Sequence, residues 1–208
     1  MKAECAFLRN LVDPRQKDLF SELDGTCPAP PAIRYIPDLI SDHDQYFKYL
    51  IGTVDWNSQF KSRQTITFGE SYNYRSGTRK SRRMPSFLDP FLSAVEQNLG
   101  FLPNNCLVNY YPDGDHYISF HSDQDLEMKD NTGVAIFSLG AVREMVLRRI
   151  KQPQVRFAYA LEPGSAFFMS DQLQSEWQHG IPKQRGCGPR ISLSFRSLRT
   201  KNQAANPD

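Results

Sequence analysis

Leu107-Val108-Asn109-Tyr110-Tyr111-Pro112-Asp113-Gly114-Asp115-His116-Tyr117-Ile118-Ser119-Phe120-His121-Ser122-Asp123 decides the fold. Up to Pro103 the apolar residues recur at helical spacing. Beyond it they alternate, and period 2 is the signature of a strand with two different faces. Pro112-Asp113-Gly114-Asp115 breaks the alternation with turn-forming residues, so the segment reads as strand, turn, strand.

Working toward the C-terminus, strand-like pieces recur at Val134–Leu139, Glu144–Ile150, Arg156–Leu161, Ser165–Met169 and Arg190–Leu198. Gly140, Gln152-Pro153, Pro163-Gly164 and Gly186-Cys187-Gly188-Pro189 separate them. Many short strands at this spacing predict an antiparallel barrel or sandwich. Toward the N-terminus the signals are helical. Asp89 as cap, Pro90 in the first turn, Phe91, Leu92, Val95 and Leu99 on one face and Gly100 as a stop predict one helix. Ser41 and Asp42 ahead of Tyr46, Phe47, Leu50 and Ile51 predict another. Residues 61–84 hold aromatic and alternating pieces that suggest a hairpin with an exposed tip. The expected fold class is mainly β with flanking helices (α+β). Its expected parts are an N-terminal arm over 1–31, a helical and recognition region over 32–103, a β core over 104–199 and a tail over 200–208.

The chain has 208 residues, enough for one domain with an elaboration and a substantial core. No apolar run reaches the roughly 18 residues of a membrane span, and the start lacks a signal-peptide stretch, so a soluble intracellular protein is expected. A monomer is the default. Cys5, Cys27, Cys106 and Cys187 form no C-x-x-C pair, which points to reduced thiols rather than a zinc knuckle or disulfide scaffold. The formal net charge of +2 decides little, but its distribution is uneven. Arg75, Arg79, Lys80, Arg82 and Arg83 are bunched directly after Tyr72-Asn73-Tyr74, and Arg143, Arg148, Arg149 and Lys151 form a second group.

His121-Ser122-Asp123 places an imidazole and a carboxylate on one face of a strand, about 7 Å apart along the backbone. Such a pair can occupy two adjacent corners of a metal's coordination sphere. A third, distant His would complete a face and leave three positions open, as in non-haem Fe(II) oxygenases. His179 fits that place: His43 precedes the β region and His116 has the wrong parity. The plainer alternative is a buried His paired with Asp. In Arg190-Ile191-Ser192-Leu193-Ser194-Phe195-Arg196, one face is Arg, Ser, Ser, Arg and the other Ile, Leu, Phe. A polar face ending in two guanidinium forks suits a cavity that holds a carboxylate. The arginine Cα atoms stand roughly 20 Å apart at about 3.3 Å per residue, so either both side chains lean inward or one acts from behind.

Asn109-x-Tyr111-x-Asp113-Gly114, His121-x-Asp123, His179 and Arg190-x5-Arg196, in that order, resemble the AlkB family of Fe(II)/2-oxoglutarate dioxygenases over about residues 60–198. The strap Leu161-Glu162-Pro163-Gly164-Ser165 and the closing Phe195-Arg196 are similar too. The resemblance implies a double-stranded β-helix, or jelly roll. It also implies that His121, Asp123 and His179 bind iron and carry catalysis. Asn109, Tyr111, Arg190, Ser192 and Arg196 would form the 2-oxoglutarate pocket, with O2 as the other cosubstrate. Ser192 departs from the Asn usual in the family. Asp125 would contact the amine of a damaged base. Tyr72 would touch nucleic acid, and Tyr74 would stack on a flipped base, which a duplex must extrude to reach the iron. Arg75, Arg79 and Arg82 would meet phosphates. The implied activity is oxidative demethylation of N-alkylated bases in DNA or RNA, of the 1-methyladenine and 3-methylcytosine type. The alternative keeps the oxygenase and changes its substrate to another RNA modification, a protein side chain or a small molecule. A non-catalytic nucleic-acid binder is disfavoured by the complete ligand set.

Overall fold

Alternation in the sequence becomes strand pairing in the computed structural model, which describes residues 33–58, 61–70, 73–74, 77–78, 82–123 and 128–199. Within these residues the chain runs β1 (Ile33–Ile36), α1 (His43–Thr53), β2 (Gln64–Gly69), β3 (Asn73–Tyr74) and β4 (Gly77–Thr78). It continues through α2 (Asp89–Leu99), β5 (Asn105–Tyr111), β6 (Ile118–His121), β7 (Gly133–Gly140), β8 (Arg143–Arg149) and β9 (Arg156–Leu161). Last come β10 (Ala166–Ser170), α3 (Asp171–Glu176), β11 (Trp177–Ile181) and β12 (Arg190–Arg196). Six strands form one antiparallel sheet in the order β1-β10-β7-β12-β5-β2, and four form a second, β6-β11-β8-β9. The two antiparallel sheets meet the barrel or sandwich expected from the strand pattern, and they are those of the double-stranded β-helix that the resemblance implies.

Strand β12 shows why the layers stack as they do. All seven of its residues are buried. Ile191, Leu193 and Phe195 face a cluster that includes Leu50 of α1 and Phe91 and Val95 of α2. The Phe91 ring meets Phe137 at 5.1 Å and Phe195 at 6.1 Å. The opposite face turns inward, where a second cluster joins the two sheets through Tyr111, Ile136, Met145, Leu147 and Trp177. Polar residues of β12 on that inner side are therefore enclosed.

Helix α2 follows its sequence signals with one shift. Asp89 is its first residue rather than its cap, because a short 3-10 turn at Ser86–Leu88 leads straight into it. Gly100 ends it at φ 77°, in the left-handed region where glycine is favoured. In α1, Leu50 is buried but Ile51 is 38% exposed, so the apolar face is narrower than its spacing suggests. Over residues 61–84, β2 pairs with β5 in the large sheet, while β3 and β4 make their own two-residue ladder. The residues before β1 and after Arg199, including the arm and the tail, lie outside the described residues. Cys106 and Cys187 are free thiols, and burial pushes the Cys106 pKa far above the usual thiol range. No helix among the described residues is long and apolar enough to cross a membrane.

Candidate active site

The second sheet brings two histidines into register. His121 on β6 and His179 on β11 are cross-strand partners with ring centroids 4.3 Å apart. Asp123 follows just past the end of β6 and is 2% exposed. Its Oδ2 stands 3.9 Å from His179 Nε2. One ligand atom from each of His121, Asp123 and His179 can be chosen so that all three lie within 4.8 Å of one another.

Two of the three ligands, His121 and Asp123, are oriented by a hydrogen-bonding neighbour. His121 Nδ1 lies 2.8 Å from the Ser119 carbonyl oxygen, an acceptor, so Nδ1 carries the proton and Nε2 keeps its lone pair for a metal. Asp123 Oδ1 accepts from Arg196 Nη2 at 2.8 Å, and the Asp123 amide donates to Gln174 Oε1 at 3.0 Å. Asp123 Oδ2 is buried with no hydrogen-bond partner among the described residues. An orphaned carboxylate oxygen beside two imidazoles is what a cation would satisfy, and this donor set suits Fe(II).

The protonation states agree with that role. Burial would raise the Asp123 pKa, but the Arg196 charge, followed by those of His179 and His121, holds it at about 2. Burial pushes His179 down to about 3, with His121 and Arg196 acting in the same direction and Asp123 against it. Near neutral pH the pair is therefore carboxylate and neutral imidazole, the forms that bind metal.

Between the sheets lies a cavity onto which both histidines open. The inward face of β12, Arg190, Ser192, Ser194 and Arg196, lines it together with Asn109 and Tyr111. Arg190 is fully buried. Its Nη2 donates to Ser138 Oγ at 2.9 Å, whereas Nε and Nη1 have no partner among the described residues. Burial, opposed by Tyr111 and reinforced by Arg143, lowers its pKa to about 10, so it stays charged near neutral pH. A buried cation with two idle donor nitrogens is costly unless an anion meets it, and a carboxylate suits a guanidinium. The residues present thus fit a 2-oxo diacid. Tyr111 lies between two guanidinium groups, Arg190 at 5.4 Å and Arg143 at 5.8 Å from its ring centre.

The two arginines of β12 divide their work. Arg196 reaches the metal-ligand carboxylate, while Arg190 offers its fork to the cavity. The structure brings together His121, Asp123, His179, Asn109, Tyr111, Arg190, Ser192 and Arg196. Arg82, 54% exposed, pairs with Asp55 at 3.3 Å and is tied through its backbone to β2. Tyr74 belongs to the β3–β4 ladder. Tyr72, Arg75, Arg79 and Asp125 lie outside the described residues. Arg148, of the second basic group, lies over the Phe120 ring at 4.1 Å and binds Gln178.

Three contributors escape the sequence pattern. Gln174 holds the Asp123 amide from α3. Arg63 donates from Nε to Asn109 Oδ1 at 2.8 Å. Arg143, fully buried, donates to the carbonyls of Asp113 at 3.2 Å, His116 at 2.9 Å and Pro182 at 2.6 Å, joining two loops at the cavity's rim. Only Arg143 carried any signal, as a member of the second basic group. Gly114 sits in one of those loops so close to the Gln184 carbonyl that a Cβ would collide with it.

Comparison with known proteins agrees with this geometry. The family model described as the 2OG-Fe(II) oxygenase superfamily matches residues 5–196. The mouse protein named alpha-ketoglutarate-dependent dioxygenase alkB homolog 3 is 25% identical over 182 residues, covering 76% of this chain and 63% of its own length. Human DNA oxidative demethylase ALKBH2 is 28% identical over 167 residues, covering 74% of this chain and 64% of its own. The chain spans a little under two thirds of these relatives. The solved structure of OsALKBH1 aligns with a TM-score of 0.61 at 17% identity, covering 81% of this chain and 99% of that one, a likeness of fold.

Proposed function

The chain belongs to the 2OG-Fe(II) oxygenase superfamily, and from that premise we propose that it oxidatively demethylates N-alkylated bases in DNA or RNA. The lesions are of the 1-methyladenine and 3-methylcytosine type, and the products are formaldehyde, succinate and CO2. This makes the protein a nucleic-acid repair enzyme. The observation that carries the reading is the buried Arg190 guanidinium, with Nε and Nη1 unpartnered among the described residues, beside the cavity onto which the His121, Asp123 and His179 triad opens. The likeness to a protein named a DNA oxidative demethylase supports the substrate class.

Bound iron would couple the decarboxylation of 2-oxoglutarate by dioxygen to oxidation of a substrate C–H bond. The protein's own part is placement. His121, Asp123 and His179 would hold the metal. Arg190 clamps one carboxylate, and Asn109 and Tyr111 shape the pocket beside it. Arg196 keeps Asp123 ionised and turned toward the metal. Tyr72 and Tyr74 stack or touch the base, Asp125 receives its amine, and Arg75, Arg79 and Arg82 meet phosphates. Oxidation of an N-methyl group gives a hemiaminal, which releases formaldehyde.

The test is anaerobic loading with Fe(II) and 2-oxoglutarate, then oxygen with a 3-methylcytosine oligonucleotide, following succinate and formaldehyde together. Equal amounts of both, lost in His179→Ala, are expected. Slow succinate without formaldehyde would reassign the substrate to another RNA modification, a protein side chain or a small molecule.

A further inference from the structure

We propose that Arg63 is a positioning residue: it fixes the flip state of the Asn109 amide, so that Asn109 presents an N–H donor, not a carbonyl oxygen, to the 2-oxoglutarate cavity. The proposal rests on the reading that Asn109 faces the cosubstrate.

A terminal amide has two orientations of nearly equal shape, and its neighbours select between them. Arg63, 9% exposed beside the start of β2, is in contact with Asn109 through Nε at 2.8 Å. A guanidinium has only donors, so the atom it meets must be Oδ1. Nδ2 is thereby turned to the other side, where it lies 3.4 Å from Ser192 Oγ on the cavity wall. The Ser192 hydroxyl cannot make that selection, because it donates and accepts equally well. Arg63 is the partner of one polarity.

The consequence is electrostatic. With Nδ2 inward, Asn109 joins the idle N–H groups of Arg190 in offering donors to a carboxylate. With the amide reversed, its carbonyl oxygen would face the anion and repel it.

The experiment titrates 2-oxoglutarate into the full chain loaded with Ni(II), by calorimetry, without turnover. Arg63→Met is expected to weaken binding about tenfold, the loss of roughly one good hydrogen bond. Ni(II) affinity should not change. Asn109→Ala should weaken binding similarly, and the double variant should bind no more weakly than Asn109→Ala alone. Arg63→Lys, which keeps a donor-only head, should bind more tightly than Arg63→Met. A purely structural role would instead lower melting temperature and metal affinity together. If Arg63→Met does not fold, Arg63→Gln, able to donate or accept, takes its place with the same expectation of weakened binding. Unchanged binding in the Arg63 variant, or additive losses in the double variant, overturns the proposal while leaving Asn109 at the cosubstrate. Unchanged binding in Asn109→Ala overturns the underlying reading as well.

Discussion

Arg196 and Asp123 lie 73 positions apart in the chain and meet at 2.8 Å, Nη2 to Oδ1, with side chains 4% and 1% exposed. One oxygen of the carboxylate is thus anchored and the other left for the metal. The pair is also a hazard, because either charge alone would be stranded in the interior.

Arg196→Met should therefore destabilise the metal-free protein by about 3–5 kcal/mol, the usual penalty for orphaning a buried charge. Saturating Mn(II) should narrow the gap to wild type, since the cation replaces the lost partner. Urea unfolding with a chelator and with Mn(II) checks this. A gap that metal leaves untouched would contradict the assignment.

Gln174 holds the Asp123 amide, not its carboxylate, so its effect is on ligand direction. Gln174→Ala is expected to weaken Mn(II) binding about tenfold, in the range seen for residues that support metal ligands. Metal titration followed by calorimetry reads this directly.

Arg190→Met should weaken 2-oxoglutarate about a hundredfold, for two charged hydrogen bonds, and leave Ni(II) affinity intact. Arg190→Lys should not restore it, because a single ammonium cannot reproduce the fork. Equal losses of metal and cosubstrate would indicate collapse of the cavity instead.

Gly114 tests the packing behind the site. Gly114→Ala drives a methyl group into the Gln184 carbonyl and should cost about 1–3 kcal/mol, measured by thermal or urea unfolding. An unchanged midpoint would mean that the 112–116 loop has room to move aside.

The sequence is most readable where periodicity and punctuation coincide. Strand β12 betrays both faces through Arg, Ser, Ser, Arg against Ile, Leu, Phe, and α2 is bracketed by Pro90 and Gly100. Strand β9 has the bounds its alternation predicts, Arg156–Leu161. What stays hidden is short or solitary. Four residues suffice for β1 because β10 supplies its hydrogen bonds, and no local pattern announces that partner. Helix α3 has six residues, too few for an apolar stripe, although Ser170 caps it through Oγ. Arg63 and Gln174 are single polar residues whose partners lie 46 and 51 positions away. Long-range pairing of that kind leaves no local trace.

Arg143 gives the rim of the cavity a redundancy. Three carbonyls from two loops share one cation, so a fluctuation that loosens one contact leaves two in place. The two loops are also joined directly, the Gln184 amide donating to the Gly114 carbonyl at 2.8 Å, so the motion of one is felt by the other. Stiffness on this side is therefore collective, and the amides of 113–116 and 183–184 should exchange with solvent at one common free energy rather than loop by loop.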